Sequence, residues 1–132
     1  MPDPVLQAAA IPVQNGRICL VTSRSGRRWV IPKGRIERGQ SPSEAAILEA
    51  WEEAGLVGDL SPVPLGTFQY EKLDRVFLVS VYVLSVKEIR SDWPERRDRR
   101  REWVEWTVAL ERIEEEGLRE ILRSLQPLAL AD

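Results

Sequence analysis

The chain of 132 residues carries 19 basic and 21 acidic side chains, for a net charge of −2, with 43% hydrophobic and 30% charged residues. That balance fits one globular domain with a core of its own, and it supplies no global field to draw in DNA or a membrane surface. Histidine is absent and cysteine occurs once, as Cys19; this excludes imidazole-based nucleophile systems and internal disulfides, and leaves oxygen ligands suited to hard cations.

The amino terminus lacks the basic-then-apolar pattern of a signal peptide, and no window approaches the ~20 apolar residues of a membrane span. A soluble, cytoplasmic protein is expected. Residues 5–13 and 16–23 are apolar runs separated by Gln14-Asn15-Gly16, a hairpin signal. Cys19, within the second run, is expected to be a small buried core residue. Residues 24–28 (RSGRR) read as a turn, and residues 29–31 (WVI) as a short strand stopped by Pro32.

Residues 41–54 predict a helix. Residues 62–71 and 75–89 follow as two strands, the second rich in valine and leucine. Residues 90–100 form a charged loop, residues 102–107 (EWVEWT) alternate like a strand, and residues 108–125 are helical with Gly117 as a candidate break. No repeat or linker divides the chain, so residues 1–132 form one domain. Strands around one well-marked helix, with a second helix at the end, indicate an α/β (α+β) sandwich built on a mixed sheet.

The first helix carries the strongest punctuation. Ser41 is the expected N-cap, Pro42 occupies the first helical position, Glu44 completes a capping box, and Gly55 stops the helix. At about 100° per residue, Glu49, Glu52 and Glu53 share one arc, with Ala45 and Ala46 leaving room beside them. Ile47, Leu48, Ala50, Trp51 and Ala54 are expected to pack on the sheet. Carboxylates at this spacing repel one another by a few tenths of a kcal/mol per pair unless a divalent cation binds between them. A solvated acidic helix face is the competing reading of the spacing. The approach "WVIPKGRIERGQ" sets Gly34, Gly39, Lys33 and Arg35 before this helix, where a tight turn can present backbone oxygens to a metal and basic groups to phosphate.

Residues 34–56, "GRIERGQSPSEAAILEAWEEAGL", resemble the Nudix box, the motif of hydrolases that cleave a nucleoside diphosphate linked to another group. Gly34, Glu49, Ala50, Glu52, Glu53, Gly55 and Leu56 fall at the pattern's positions. The likeness covers most of residues 8–125, and "WVIPKG", Asp92-Trp93 and "RREWVEW" look like the diadenosine polyphosphate and diphosphoinositol polyphosphate branch. Two positions depart from the pattern. Gln40 stands for the family's first glutamate, and Leu48 for an arginine that orients the following glutamate. Leucine cannot make that bidentate pairing, so either an arginine from another element serves or Glu49 is held less tightly.

The resemblance implies a Nudix-type α/β/α sandwich and a magnesium- or manganese-dependent diphosphate hydrolase. Its metal set would be Glu49, Glu52 and Glu53 with the Gly34 carbonyl. Glu52 and Glu53 would be the catalytic carboxylates, Glu52 acting as general base alone or together with a loop glutamate. Basic side chains cluster at Arg24, Arg27 and Arg28, at Lys33 and Arg35, and along Arg96–Arg101. Arg28, Lys33, Arg35, Arg75, Arg100 and Arg101 are the candidates for holding phosphate, and Trp93 for stacking on a base. Trp29, Trp51, Trp103 and Trp106 are expected to be structural. A solvated, internally paired loop is the competing reading of the arginine run.

The resemblance to the inositol branch implies basic residues on the first strand; this chain has Gln7 and Ala8 there, which argues against a highly phosphorylated inositol. The expected partner is a small phosphorylated molecule. No membrane partner is expected, nucleic acid is disfavoured by the net charge, and a homodimer stays open. Two other readings compete with the enzyme: a catalytically weak domain that senses a phosphorylated ligand, and binding or 5′-end hydrolysis of RNA through the arginine loop.

Overall fold

Two long strands lying side by side in parallel organise the sheet, and short strands fill in around them. The computed structural model describes the backbone of residues 2–129 and the side chains of residues 2–125. The chain runs β1 (Val5–Gln14), β2 (Arg17–Thr22), β3 (Trp29–Val30), β4 (Lys33–Arg35), α1 (Pro42–Ala54) and β5 (Leu56–Leu60). It continues through β6 (Gly66–Lys72), β7 (Arg75–Ile89), β8 (Arg101–Val104), α2 (Trp106–Arg112) and α3 (Glu116–Ala129). Among the described residues no helix is long and apolar enough to cross a membrane.

β1 and β7 pair in parallel, from Val5 opposite Phe77 to Val13 opposite Ser85. The other edge of β1 is shared: its end pairs with β2 through the Asn15-Gly16 turn, and Gln7–Ala9 pair with β4. The outer edge of β7 is likewise divided between β6 and β5. The order β3-β2-β1-β7-β5, with β4, β6 and β8 branching off, makes the expected mixed sheet. Where β1 exchanges β2 for β4, the ends of those strands part, and the cleft described below opens there.

Alternation along β1 sends side chains to both faces. Ala9, Ile11 and Val13 join Val79, Ile113, Leu118, Leu122 and Leu125 under α2 and α3. Ala8 and Ala10 join Cys19, Tyr82 and Leu84 under α1. The sandwich has helices on both faces, as expected, and Cys19 is buried.

The α1 face differs from the sequence reading. Ala45, Ala46, Ala50 and Ala54 form the stripe against the sheet, whereas Ile47 and Leu48 are exposed at 48% and 42% and Trp51 is half-buried. A stripe of methyl groups lets the helix lie closer to the sheet than leucines would allow, so the small residues and not the large ones face inward.

The carboxy-terminal region also departs from expectation. β8 ends at Val104 opposite Ile18, and Trp106 opens α2, where its indole N–H donates to the Leu122 carbonyl. The helical break falls at residues 113–115 and not at Gly117, which lies inside α3. Gly117 is there for packing: a Cβ would stand 2.6 Å from the Phe68 Cβ. Gly117→Ala is therefore expected to destabilise the fold. Its helix-propensity gain of about 1 kcal/mol is smaller than an overpacking cost of roughly 1–3 kcal/mol. A rise in the denaturant midpoint of that variant would show that the approach is not close.

Candidate active site

α1 is fixed at both ends. The Ser41 hydroxyl accepts from the Glu44 amide at 3.1 Å, and the Ser41 amide donates to the Glu44 carboxylate at 2.8 Å. At the other end Gly55 adopts φ 68°, the left-handed conformation that closes a helix without a Cβ penalty. Four carbonyls of its last turn and cap are then met by the segment that follows β7. The Glu95 amide donates to Glu52, the Trp93 indole to Glu53, the Arg101 guanidinium to Ala54 and the Arg90 amide to Gly55. Loop 90–100 is thus tied to the helix that carries the acidic residues.

Glu49 and Glu53 project from the sheet side of α1 beneath β4. The Glu53 carboxylate accepts from the Lys33 amide at 3.4 Å. A Cβ on Gly34 would come within 2.3–2.6 Å of the Glu49 carboxyl group. The missing side chain is what makes room for it. Glu53 is 6% exposed, and this burial pushes its carboxyl up to about 8, opposed by the Arg99 guanidinium and reinforced by its hydrogen bond with Glu49. Burial also raises Glu49, against the hydrogen bond from Glu53; Glu52 and Glu95 push it further up. Burial thus raises both carboxyls of this neighbouring pair.

A cleft of about 500 Å³ lies over this pair. Glu49, Glu52, Glu53 and Glu95 line it together with Arg24, Arg28, Lys33, Arg35, Lys72 and Arg99, and with Gln7 and Tyr70. The charges interleave: Arg24 lies 3.7 Å from Glu95 and Arg99 3.6 Å from Glu53. Burial lowers the Lys33 ammonium, while Glu115 and Glu53 hold it up. Arg28 pairs with Glu115 at 3.4 Å.

Of the residues singled out in the sequence, Gly34, Glu49, Glu52, Glu53, Arg28, Lys33 and Arg35 meet in this cleft. Arg75, Arg100, Arg101 and Trp93 do not line it. Arg75 donates to the Asp3 carbonyl. Arg100 lies over Trp29 at 5.6 Å. Arg101 sits 4.1 Å from the Trp93 ring, and both pack against Gly55. Trp93 and Arg101 meet carbonyls at the end of α1, through an indole N–H to Glu53 and a guanidinium to Ala54.

Sequence reasoning missed Arg99 and Glu95 as individual site residues, and Tyr70 and Lys72 altogether. Arg99 stood in the arginine run with nothing local to distinguish it from its neighbours. Tyr70 reaches the cleft because β6 pairs with β7, and its hydroxyl donates to Gln7 at 2.8 Å.

The donor set suits a hard divalent cation. The oxygens are carboxylates, and the side-chain-free Gly34 leaves room for the Glu49 carboxyl group. Among the described residues no three acidic, histidine or cysteine side chains already converge for metal binding. Gly34→Ala is expected to leave thermal stability nearly unchanged, because only the flexible end of Glu49 must yield. It should nevertheless weaken Mn²⁺ binding by calorimetry about 10-fold or more. Unchanged binding would show that Glu49 needs no such room.

The model of the NUDIX domain family matches residues 4–125. The chain belongs to the Nudix family. The segment 34–56, which resembles the Nudix box, lies within the matched range and contributes Gly34, Arg35, Glu49, Glu52 and Glu53 to the cleft. Among curated proteins, diphosphoinositol polyphosphate phosphohydrolase 2 of Mus musculus is 41% identical over 93 residues, 68% of this chain and 50% of that protein. The human diphosphoinositol polyphosphate phosphohydrolase 3-beta is 40% identical over 84 residues, 62% of this chain and 50% of that protein. The chain thus spans about half the length of the curated relatives it matches. Among solved structures, the C. elegans Ap4A hydrolase superposes with a TM-score of 0.77 at 20% identity, covering 95% of this chain and 98% of that one. A Nudix hydrolase from Nitrosomonas europaea gives 0.79 at 18% identity, covering 96% and 91%. At such identities these two establish the Nudix fold.

Proposed function

We propose that this Nudix domain is a metal-dependent pyrophosphohydrolase that cleaves a diphosphate linkage in a dinucleoside polyphosphate or a related nucleotide or inositol pyrophosphate. One observation carries the reading: carboxylates and cationic side chains together line a single cleft. A diphosphate with a bound divalent cation would satisfy both, its phosphate oxygens meeting Arg28, Lys33 and Arg35 and its cation meeting Glu49, Glu52 and Glu53.

When bound, magnesium or manganese polarises the phosphate and offsets the charge that develops during attack. Glu49 and Glu53 would hold the cation, with the Gly34 carbonyl as a further oxygen. Glu52 takes the proton from the attacking water, and Glu95, whose backbone amide is bonded to the Glu52 carbonyl, is the loop glutamate that can share this work. Lys33 and Arg35 orient the phosphates.

Within the substrate class, dinucleoside polyphosphates are favoured. Gln7 places a neutral amide in the cleft, where a heavily phosphorylated inositol would need additional cations. The test is product release from diadenosine polyphosphates, nucleoside triphosphates, nucleotide sugars and a diphosphoinositol phosphate, with and without Mg²⁺ or Mn²⁺. Metal-dependent cleavage of a diphosphate linkage is expected. Tight binding of such a ligand with no turnover of any would instead support a sensor, the reading that Leu48 favours.

A further inference from the structure

Arg99, within the 96–101 run, is withdrawn from solvent, with 8% of its side chain exposed. Each of its three guanidinium nitrogens has a protein partner. Nε lies 2.8 Å from Glu95 Oε1, Nη2 lies 3.6 Å from Glu53 Oε2, and Nη1 donates to the Thr22 carbonyl at 3.0 Å. Those three partners belong to three different elements: the loop, α1 and the end of β2. The next residue is fastened as well, since the Arg100 amide donates to the Thr22 hydroxyl and its carbonyl accepts from the Thr22 amide.

We propose that Arg99 is a positioning residue that holds the helix carboxylate Glu53 and the loop carboxylate Glu95 in register with each other at the cleft. The inference rests on the proposed hydrolase reading and assigns this role to a residue outside the Nudix box. A planar guanidinium can address several acceptors in fixed directions, which an ammonium cannot. A buried arginine with this many internal partners is a poor phosphate clamp, because a phosphate would have to break those contacts first. Position 48 cannot supply the contact from within the box, being an exposed leucine.

The alternatives separate kinetically. A clamp acts on substrate binding and shows in KM, whereas a positioning residue acts on the carboxylates and shows in kcat. Arg99→Met and Arg99→Lys are the variants, with Arg97→Met as an exposed control from the same run.

The expected result for Arg99→Met is a kcat lower by about 10- to 100-fold with KM within about threefold. Arg99→Lys should recover little, since it restores charge without the fork. A second measurement needs neither metal nor substrate. In chemical unfolding, Arg99→Met and Glu53→Gln should be non-additive by about 10-fold in the unfolding equilibrium constant. Arg99→Met combined with Glu44→Gln should be additive.

A raised KM with unchanged kcat, full recovery in Arg99→Lys, or additivity of Arg99→Met with Glu53→Gln would overturn the proposal. If no substrate is cleaved by the wild-type protein, the hydrolase reading fails by itself. The unfolding cycle still decides whether Arg99 and Glu53 act as a pair.

Discussion

Glu52→Gln is expected to lower metal-dependent hydrolysis by roughly 10²–10⁴-fold, the range lost when a positioned general base is removed. Glu52 is half-buried at the edge of the cleft, and the bond it gives to loop 90–100 runs through its backbone carbonyl, which the substitution leaves untouched. Glutamine retains the size and shape of the side chain, so the melting temperature should change little. Steady-state rates at saturating metal, together with a thermal melt, check both halves. A fall of less than about threefold would move the base to Glu95, which faces the same cleft. Loss of activity together with a collapsed melting temperature would make Glu52 a structural residue.

The second large effect concerns the metal-free protein and pH. Burial lifts Glu53 from 4.5 to about 8 in the folded state, and it lifts Glu49 in the same direction. Between pH 4.5 and about 8 the folded protein then holds a proton that the unfolded chain has released. Stability is fully present below the unfolded value and is lost as pH rises through the folded one, with a slope of at most about 1.4 kcal/mol per pH unit for one such group. Metal-free unfolding midpoints should therefore fall from pH 5 to pH 8, and Glu53→Gln should flatten much of that decline. A divalent cation bound at these carboxylates would compete with protons, so any stabilising effect of added metal should grow over the same interval. Wild-type midpoints that hold steady or rise between pH 5 and 8 would mean that the Glu53 site is wetter than its burial indicates.

The two effects share a cause. A buried carboxylate pair beneath a glycine strand is unfavourable for the fold and useful to a cation, and α1 accepts it because its alanine stripe and both caps hold the helix regardless.

The sequence by itself determined what depends on residues close together along the chain. The Ser41/Glu44 box, Pro42 and Gly55 bounded α1, and Asn15-Gly16 marked the hairpin. The valine-rich run defined β7 over the residues observed. Gly34 and the glutamate spacing located the carboxylates of the cleft. These are local signals, set by hydrogen bonds and dihedral preferences within a few residues.

Tertiary structure decided the rest. β5 carries little signal of its own and becomes a strand because β7 is long enough to offer it an edge. Which of the clustered arginines enters the cleft depends on partners far along the chain: Arg99 is drawn in by Thr22, Glu53 and Glu95, while Arg101 is taken up by the carbonyl of Ala54. Trp93, placed beside that arginine run in sequence, gives its indole N–H to the end of α1. Long polar side chains reach several ångströms in any direction, so their destinations follow from which acceptors the fold leaves unsatisfied, and those exist only once the helix and the sheet have come together.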